Sequence, residues 1–100
     1  MRAVRWRRHA PLRTKAEELL KEIPHWSLAP DAKSISRQFA FKDFAEALAF
    51  VDRVGALAES EGHHPDIALS WGKVGVMLST HSIGGLSEND FIVASKIDQL

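Results

Sequence analysis

One hundred residues make one domain, with 45% hydrophobic and 26% charged side chains, and no apolar run approaches the ~20 residues that cross a bilayer. The chain has no cysteine, which excludes a disulfide framework, a thiolate metal site and a cysteine nucleophile, and suits a reducing, cytoplasmic setting. Its formal net charge of zero gives no global electrostatic argument for nucleic acid, and nothing in it points to a membrane partner.

The charge is nonetheless uneven. Arg2, Arg5, Arg7, Arg8, Arg13 and Lys15 all precede Glu17, the first acidic residue. Residues 1–13 read as a basic tail ahead of a domain at 14–100, with three readings open: a frayed lead-in, an anion-binding arm, or the remnant of an organelle transit segment. Thr14 and Glu17 fit a capping box that opens a first helix, with Leu19, Leu20 and Ile23 on its apolar side and Pro24 ending it. Trp26 to Leu28 reads as a short strand, closed by a turn at Ala29-Pro30-Asp31. Ile35 to Phe41 reads as a second strand, with Ile35, Phe39 and Phe41 on one face and Arg37 interrupting it.

Asp43 and Glu46 open a long helix that runs to about Ser60. Phe44, Leu48, Val51, Gly55 and Ala58 recur at helical spacing, with Phe50, Val54 and Leu57 on the adjoining stripe, and Gly62 suits the residue after the helix. Ile67 to Ser70 and Val74 to Leu78 read as a hairpin joined through Trp71-Gly72-Lys73. Ser82 to Leu86 is a loop in which Gly84-Gly85 serves backbone turning. Ser87 and Asp90 form a further capping box opening a last helix, whose Val93, Ala94, Ile97 and Leu100 are buried or face a partner. The order α-β-β-α-β-β-α predicts an α+β fold, a four-stranded antiparallel sheet with three helices on one face. The other face is then free for a ligand or partner.

The chemistry-bearing residues lie around the hairpin. His63-His64-Pro65 precedes it and Thr80-His81 follows it. Imidazole is the side chain whose unperturbed pKa lies near neutrality, so it donates or accepts protons at cellular pH. Proline holds the residue before it extended, and a chain that goes out and back returns His81 to the neighbourhood of His63 and His64. The spacing predicts an imidazole-lined proton-transfer pocket or a metal site. Three imidazoles can bind zinc with an open fourth position, but adjacent histidines on extended chain point in different directions, so no metal is expected. Ordinary polar loop histidines are the plain alternative. Trp71 and Trp26 could wall such a pocket, although each also suits a core. Glu59 or Glu61 could orient an imidazole, although both also suit a solvated helix end. Asp90 has a capping role that competes with any catalytic one. Nucleotide-binding glycine loops, the nucleophile elbow and the zinc-protease helix are all absent from the sequence.

The runs Glu59-Ser60-Glu61-Gly62-His63-His64-Pro65-Asp66, Trp71-Gly72-Lys73-Val74, Leu78-Ser79-Thr80-His81 and Gly85-Leu86-Ser87-Glu88-Asn89-Asp90 resemble pterin-4a-carbinolamine dehydratases. Phe39-Ala40-Phe41-Lys42-Asp43-Phe44 and Trp26 match as well, and the likeness extends from about Leu12 to Leu100. The resemblance implies the same α+β fold, assembly into homodimers or homotetramers, and no metal or organic cofactor. It implies a hydro-lyase that removes water from 4a-hydroxytetrahydropterin to give quinonoid dihydropterin, recycling the cofactor of aromatic amino-acid hydroxylases. By that likeness His63 and His81 are the acid–base pair, His64 holds the pterin and Glu59 orients His63. Pro65, Thr80, Ser82 and Ile83 line the pocket, with Asp90 and Trp71 in support.

The chain departs from animal members at Ile67, where an aromatic residue is common, at Gly72, where Asn is common, and at Gly62, where an acidic residue is common. These changes bear on substrate affinity more than on reaction type. The competing expectation is a protein-binding module, a dimerisation or assembly cofactor with a vestigial pterin pocket. The retention of all three histidines weighs against it.

Overall fold

Alternating side chains along two central strands set the architecture, which a computed structural model describes for residues 13–100. α1 spans Arg13–Leu20, β1 Ser27–Leu28, β2 Ile35–Ala40, α2 Phe44–Glu61, β3 Asp66–Ser70, β4 Lys73–Leu78 and α3 Glu88–Ile97, with one 3-10 turn at His81–Ile83. The sheet order is β1-β2-β4-β3, and every neighbouring pair is antiparallel. Of the basic tail, only Arg13 falls among the described residues, where it opens α1.

Period-two alternation decides which face is covered. Ile35, Val74, Val76 and Leu78 are buried beneath the helices, with Phe39, Ile67 and Leu69 packed against them. Ser36, Gln38, Ala40, Asp66, Ala68, Ser70, Lys73 and Met77 alternate with them and are exposed on the opposite face. The helices answer with Ala16 and Leu19 from α1, Ala47, Phe50 and Val54 from α2, and Phe91, Val93, Ala94 and Ile97 from α3. Each large apolar side chain buried in this way contributes roughly 1.5–3 kcal/mol. Phe39 and Phe41 meet Phe50 with ring centroids 4.6 and 5.1 Å apart, and Trp26 meets Phe39 edge-on at 6.3 Å.

Arg37 interrupts the inward face of β2, and the structure supplies its partner. Its Nη1 donates to Asp98 Oδ1 at 2.6 Å, and its guanidinium lies 4.3 Å over the Phe39 ring centroid. Trp26 Nε1 donates to the same oxygen at 2.9 Å. Asp98 thus joins the end of α3 to β2 and to the residue before β1, and satisfies the polar ends of two largely buried side chains.

Several expectations shift. Thr14 lies inside α1 rather than capping it. Phe41 lies just beyond β2, but its N–H still reaches Gly72 O at 2.8 Å. That approach is so close that a Cβ on Gly72 would stand 2.9 Å from Phe41 O, which accounts for glycine there. The buried stripe of α2 is Ala47, Phe50, Val54 and Ala58. Phe44 and Leu48, placed on the leading stripe by spacing alone, are 43% and 42% exposed. A helix with apolar residues on more than half its circumference has two plausible stripes, and only packing chooses between them. In α3, Val93, Ala94 and Ile97 belong to this chain's own core, and Leu100 beyond the helix is exposed.

Asp43 caps α2 as expected, accepting from Glu46 N at 2.9 Å, while Glu46 Oε1 accepts from Lys42 N at 3.2 Å. At the far end Gly62 takes φ 64°, a left-handed conformation that glycine adopts without strain. That reversal turns the chain out of α2 directly into the two histidines.

Candidate active site

The β3–β4 pairing places both histidine segments at one end of the sheet. Asp66 pairs with Met77, so His63-His64-Pro65 leads into the same end that Ser79-Thr80-His81 leaves. After β4 the chain folds back at once. Thr80 N donates to Gly85 O at 2.6 Å, Gly85 N returns to Thr80 O at 3.3 Å, and the 3-10 turn His81–Ile83 forms the tip. Gly85 leads through buried Leu86 into Ser87, the N-cap of α3.

His63 is anchored. Its Nε2 lies 2.6 Å from Oδ1 of Asp90, whose side chain has no exposed surface, while the imidazole itself is 14% exposed. Asp90 Oδ2 accepts from Ser87 N at 2.9 Å and from Thr80 Oγ1 at 2.8 Å. Thr80 Oγ1 also lies 2.7 Å from Ser87 Oγ. A fully buried carboxylate is tolerated only when its lone pairs are used, and here both oxygens have partners. Capping α3 and holding His63 are therefore not competing duties, because the two oxygens of Asp90 divide them.

His64 differs. Its Nε2 contacts Glu59 Oε2, and both side chains are largely exposed. Glu59 thus holds His64 rather than His63, because the turn at Gly62 sends His63 inward toward α3 and leaves His64 beside the last turn of α2. Glu61, the other acidic candidate, is bound to Lys96 at 2.8 Å. His81 is exposed, and its ring has no hydrogen-bond partner among the described residues. Pro65 and Ile83 are half-buried and Ser82 is exposed at the same end. One imidazole is therefore fixed, a second is paired at the surface, and a third has no ring partner among the described residues.

Trp71 does not join them. It is 68% exposed at the β3–β4 turn, the opposite end of a strand of five residues, roughly 16 Å away at the usual rise. Trp26 is core. A cavity of about 310 Å³ lined by Arg37, Phe39, Phe41, Phe50, Arg53 and Leu100 includes none of the histidines. Among the described residues, no three His, Asp or Glu side chains converge on a point that could hold a metal ion. Ser87 was legible only as a cap. Its contact with Thr80 needs the reversal at Gly85, which no local pattern announces.

An end of the sheet where a buried carboxylate orients one imidazole and two others are accessible suits proton transfer to a bound small molecule. Comparison with known proteins gives the family. A protein from Halorhodospira halophila, named provisionally as a pterin-4-alpha-carbinolamine dehydratase, is 52% identical over 92 residues, which cover 91% of this chain and 84% of its own. A similarly named protein from Methylococcus capsulatus is 51% identical over 86 residues, covering 86% and 75% of the two chains. Among solved structures, a transcriptional coactivator/pterin dehydratase from Brucella melitensis superposes with a TM-score of 0.84 at 31% identity, covering 91% of this chain and 97% of that one. A pterin dehydratase-like protein described as a RuBisCO assembly factor in the alpha-carboxysome superposes with a TM-score of 0.64 at 27% identity, covering 74% and 86%. Residues 11–100 match the family model for pterin 4 alpha carbinolamine dehydratase, and the chain belongs to that family.

Proposed function

We propose that this chain removes water from 4a-hydroxytetrahydropterin to give quinonoid dihydropterin, through histidine acid–base catalysis and without a metal or organic cofactor. The observation that carries the reading is the anchoring of His63 by buried Asp90 at the sheet end that also presents His64 and His81. The reaction needs two proton transfers. The C4a–O bond breaks with its electron pair going to oxygen, which takes a proton and leaves as water. The N5–H bond releases its proton, and its electron pair becomes the second bond between N5 and C4a. Placed imidazoles serve both ends, and such help is typically worth ~10²–10⁴ in rate.

In this reading His63 and His81 are the proton-transfer residues, and His64, braced by Glu59, holds the pterin. Pro65, Thr80, Ser82 and Ile83 line the place where it sits. The chain works as a homo-oligomer. The test is turnover of chemically generated 4a-hydroxytetrahydropterin by the purified protein and by His63→Ala.

A second reading has its own observation. Phe44 and Leu48 expose apolar surface on α2, as a surface used for binding protein would. The RuBisCO assembly factor named above is a relative of that kind. Under this reading the purified chain has no dehydratase activity for His63→Ala to remove.

A further inference from the structure

The hydrogen bonds behind His63 run in one direction. Asp90 Oδ2 receives two donors, Ser87 N at 2.9 Å and Thr80 Oγ1 at 2.8 Å. A carboxylate oxygen accepts, so the single hydroxyl proton of Thr80 points at Asp90. Ser87 Oγ lies 2.7 Å from Thr80 Oγ1, and with that proton committed, Ser87 is the donor and Thr80 the acceptor. The order is Ser87 to Thr80 to Asp90. Both donors use Oδ2, which leaves Oδ1 for another partner. Oδ1 then accepts from its partner, His63 Nε2 at 2.6 Å. In a neutral imidazole one nitrogen carries the proton and the other a lone pair. His63 Nδ1 has no hydrogen-bond partner among the described residues.

We propose that Thr80 is a positioning residue that, with Ser87 behind it, holds neutral His63 as the Nε2–H tautomer and so leaves Nδ1 as a proton acceptor. The backbone of Thr80 is pinned for this purpose by the paired bonds with Gly85 at 2.6 and 3.3 Å and by Ile83 N at 3.2 Å. The tautomer stands on geometry alone. Its catalytic meaning rests on the dehydratase reading above and divides the labour within it. His63 enters the cycle as the base that takes the N5 proton. The proton for the departing hydroxyl comes from His81, the neighbour of Thr80 in sequence, whose ring has no carboxylate partner among the described residues. Thr80 thereby links the two ends of the reaction, one through its hydroxyl and the other through the next peptide bond.

The test is long-range ring ¹H–¹⁵N correlation spectroscopy on the full, uniformly labelled chain without substrate, at a pH where His63 is neutral. The wild type is expected to show the Nε2–H pattern at His63. Thr80→Ser keeps the donor and is expected to keep the pattern. Thr80→Val keeps the shape but removes the donor, and a measurable Nδ1–H fraction is expected to appear. Turnover by Thr80→Val is expected to fall roughly 10–100-fold, mainly in kcat, the range seen when a residue that orients a metal-ligating imidazole is removed. An Nδ1–H pattern in the wild type overturns the proposal, as does a His63 spectrum unchanged in folded Thr80→Val. If Thr80→Val does not fold, the wild-type and Thr80→Ser spectra decide. A chain that shows the Nε2–H pattern yet dehydrates no pterin upholds the relay and refutes the functional reading.

Discussion

His63 Nε2 lies 2.6 Å from Asp90 Oδ1, across 27 residues of sequence, and Asp90 has no exposed surface. The same carboxylate accepts from the N–H of Ser87, the N-cap of α3, and from the hydroxyl of Thr80. Replacing Asp90 by Ala therefore leaves a backbone N–H, a hydroxyl and an imidazole short of a partner together. The expected loss is on the order of 3 kcal/mol, since each buried polar group left unpaired costs about 1–3 kcal/mol and water can reach some of them. Urea unfolding measures it. An Asp90→Ala protein as stable as the wild type would mean that the network carries no load.

Asp98 offers a parallel case away from the histidines. It accepts from Trp26 Nε1 at 2.9 Å and from Arg37 Nη1 at 2.6 Å. The Arg37 and Asp98 side chains are 24% and 21% exposed, so solvent screens part of the pairing. Asp98→Ala is expected to cost about 1–3 kcal/mol, chiefly from the stranded indole N–H and the uncompensated guanidinium. A double-mutant cycle with Trp26→Phe should return a positive coupling energy. Strict additivity of the two changes would contradict the shared-acceptor account.

The order of elements was readable from turn chemistry and periodicity, and so was the open sheet face, because strand alternation has only two outcomes. The caps at Asp43 and Ser87 were readable because they are local. What could not be read was anything settled by packing. α2 has apolar residues around much of its surface, and nothing in its sequence says that Ala47 rather than Leu48 faces the sheet. The histidine cluster was visible from spacing, but its wiring was not. A left-handed turn at Gly62 decides which imidazole meets Glu59 and which meets Asp90. Arg37 looked like a flaw in its strand until Asp98, 61 residues later, supplied the partner.

Of the two grounds the sequence offers for homo-oligomerisation, sheet edges and an apolar last helix, the edges remain and the helix does not. α3 has no spare apolar face, since Val93, Ala94 and Ile97 are buried within the chain. Among the described residues the outer strands β1 and β3 are each paired on one side only, an edge that a native protein must pair or shield, and Phe44, Leu48 and Met77 are among the exposed apolar side chains. Light scattering at micromolar concentration should give the mass of a closed dimer or tetramer. A fully active monomer would contradict this expectation.

Metal removal should change nothing. His63 and His64 direct their Nε2 atoms to different carboxylates, and among the described residues no third donor converges with them. Exhaustive chelation is expected to leave turnover and the far-ultraviolet circular dichroism unaltered. Activity lost on chelation and restored by stoichiometric zinc would replace the acid–base account with a metal-dependent one.

The most direct measurement is the rate of dehydration of 4a-hydroxytetrahydropterin by the wild type beside His63→Ala, His81→Ala and the double variant, with folding checked by circular dichroism. Each single change should slow turnover on the order of 10²-fold or more, the contribution expected of one placed proton-transfer group. The double variant should be far slower than either, although the effects need not add, because the remaining His64 can partly substitute. A folded double variant that dehydrates the pterin at the wild-type rate would contradict the claim that these imidazoles carry the reaction.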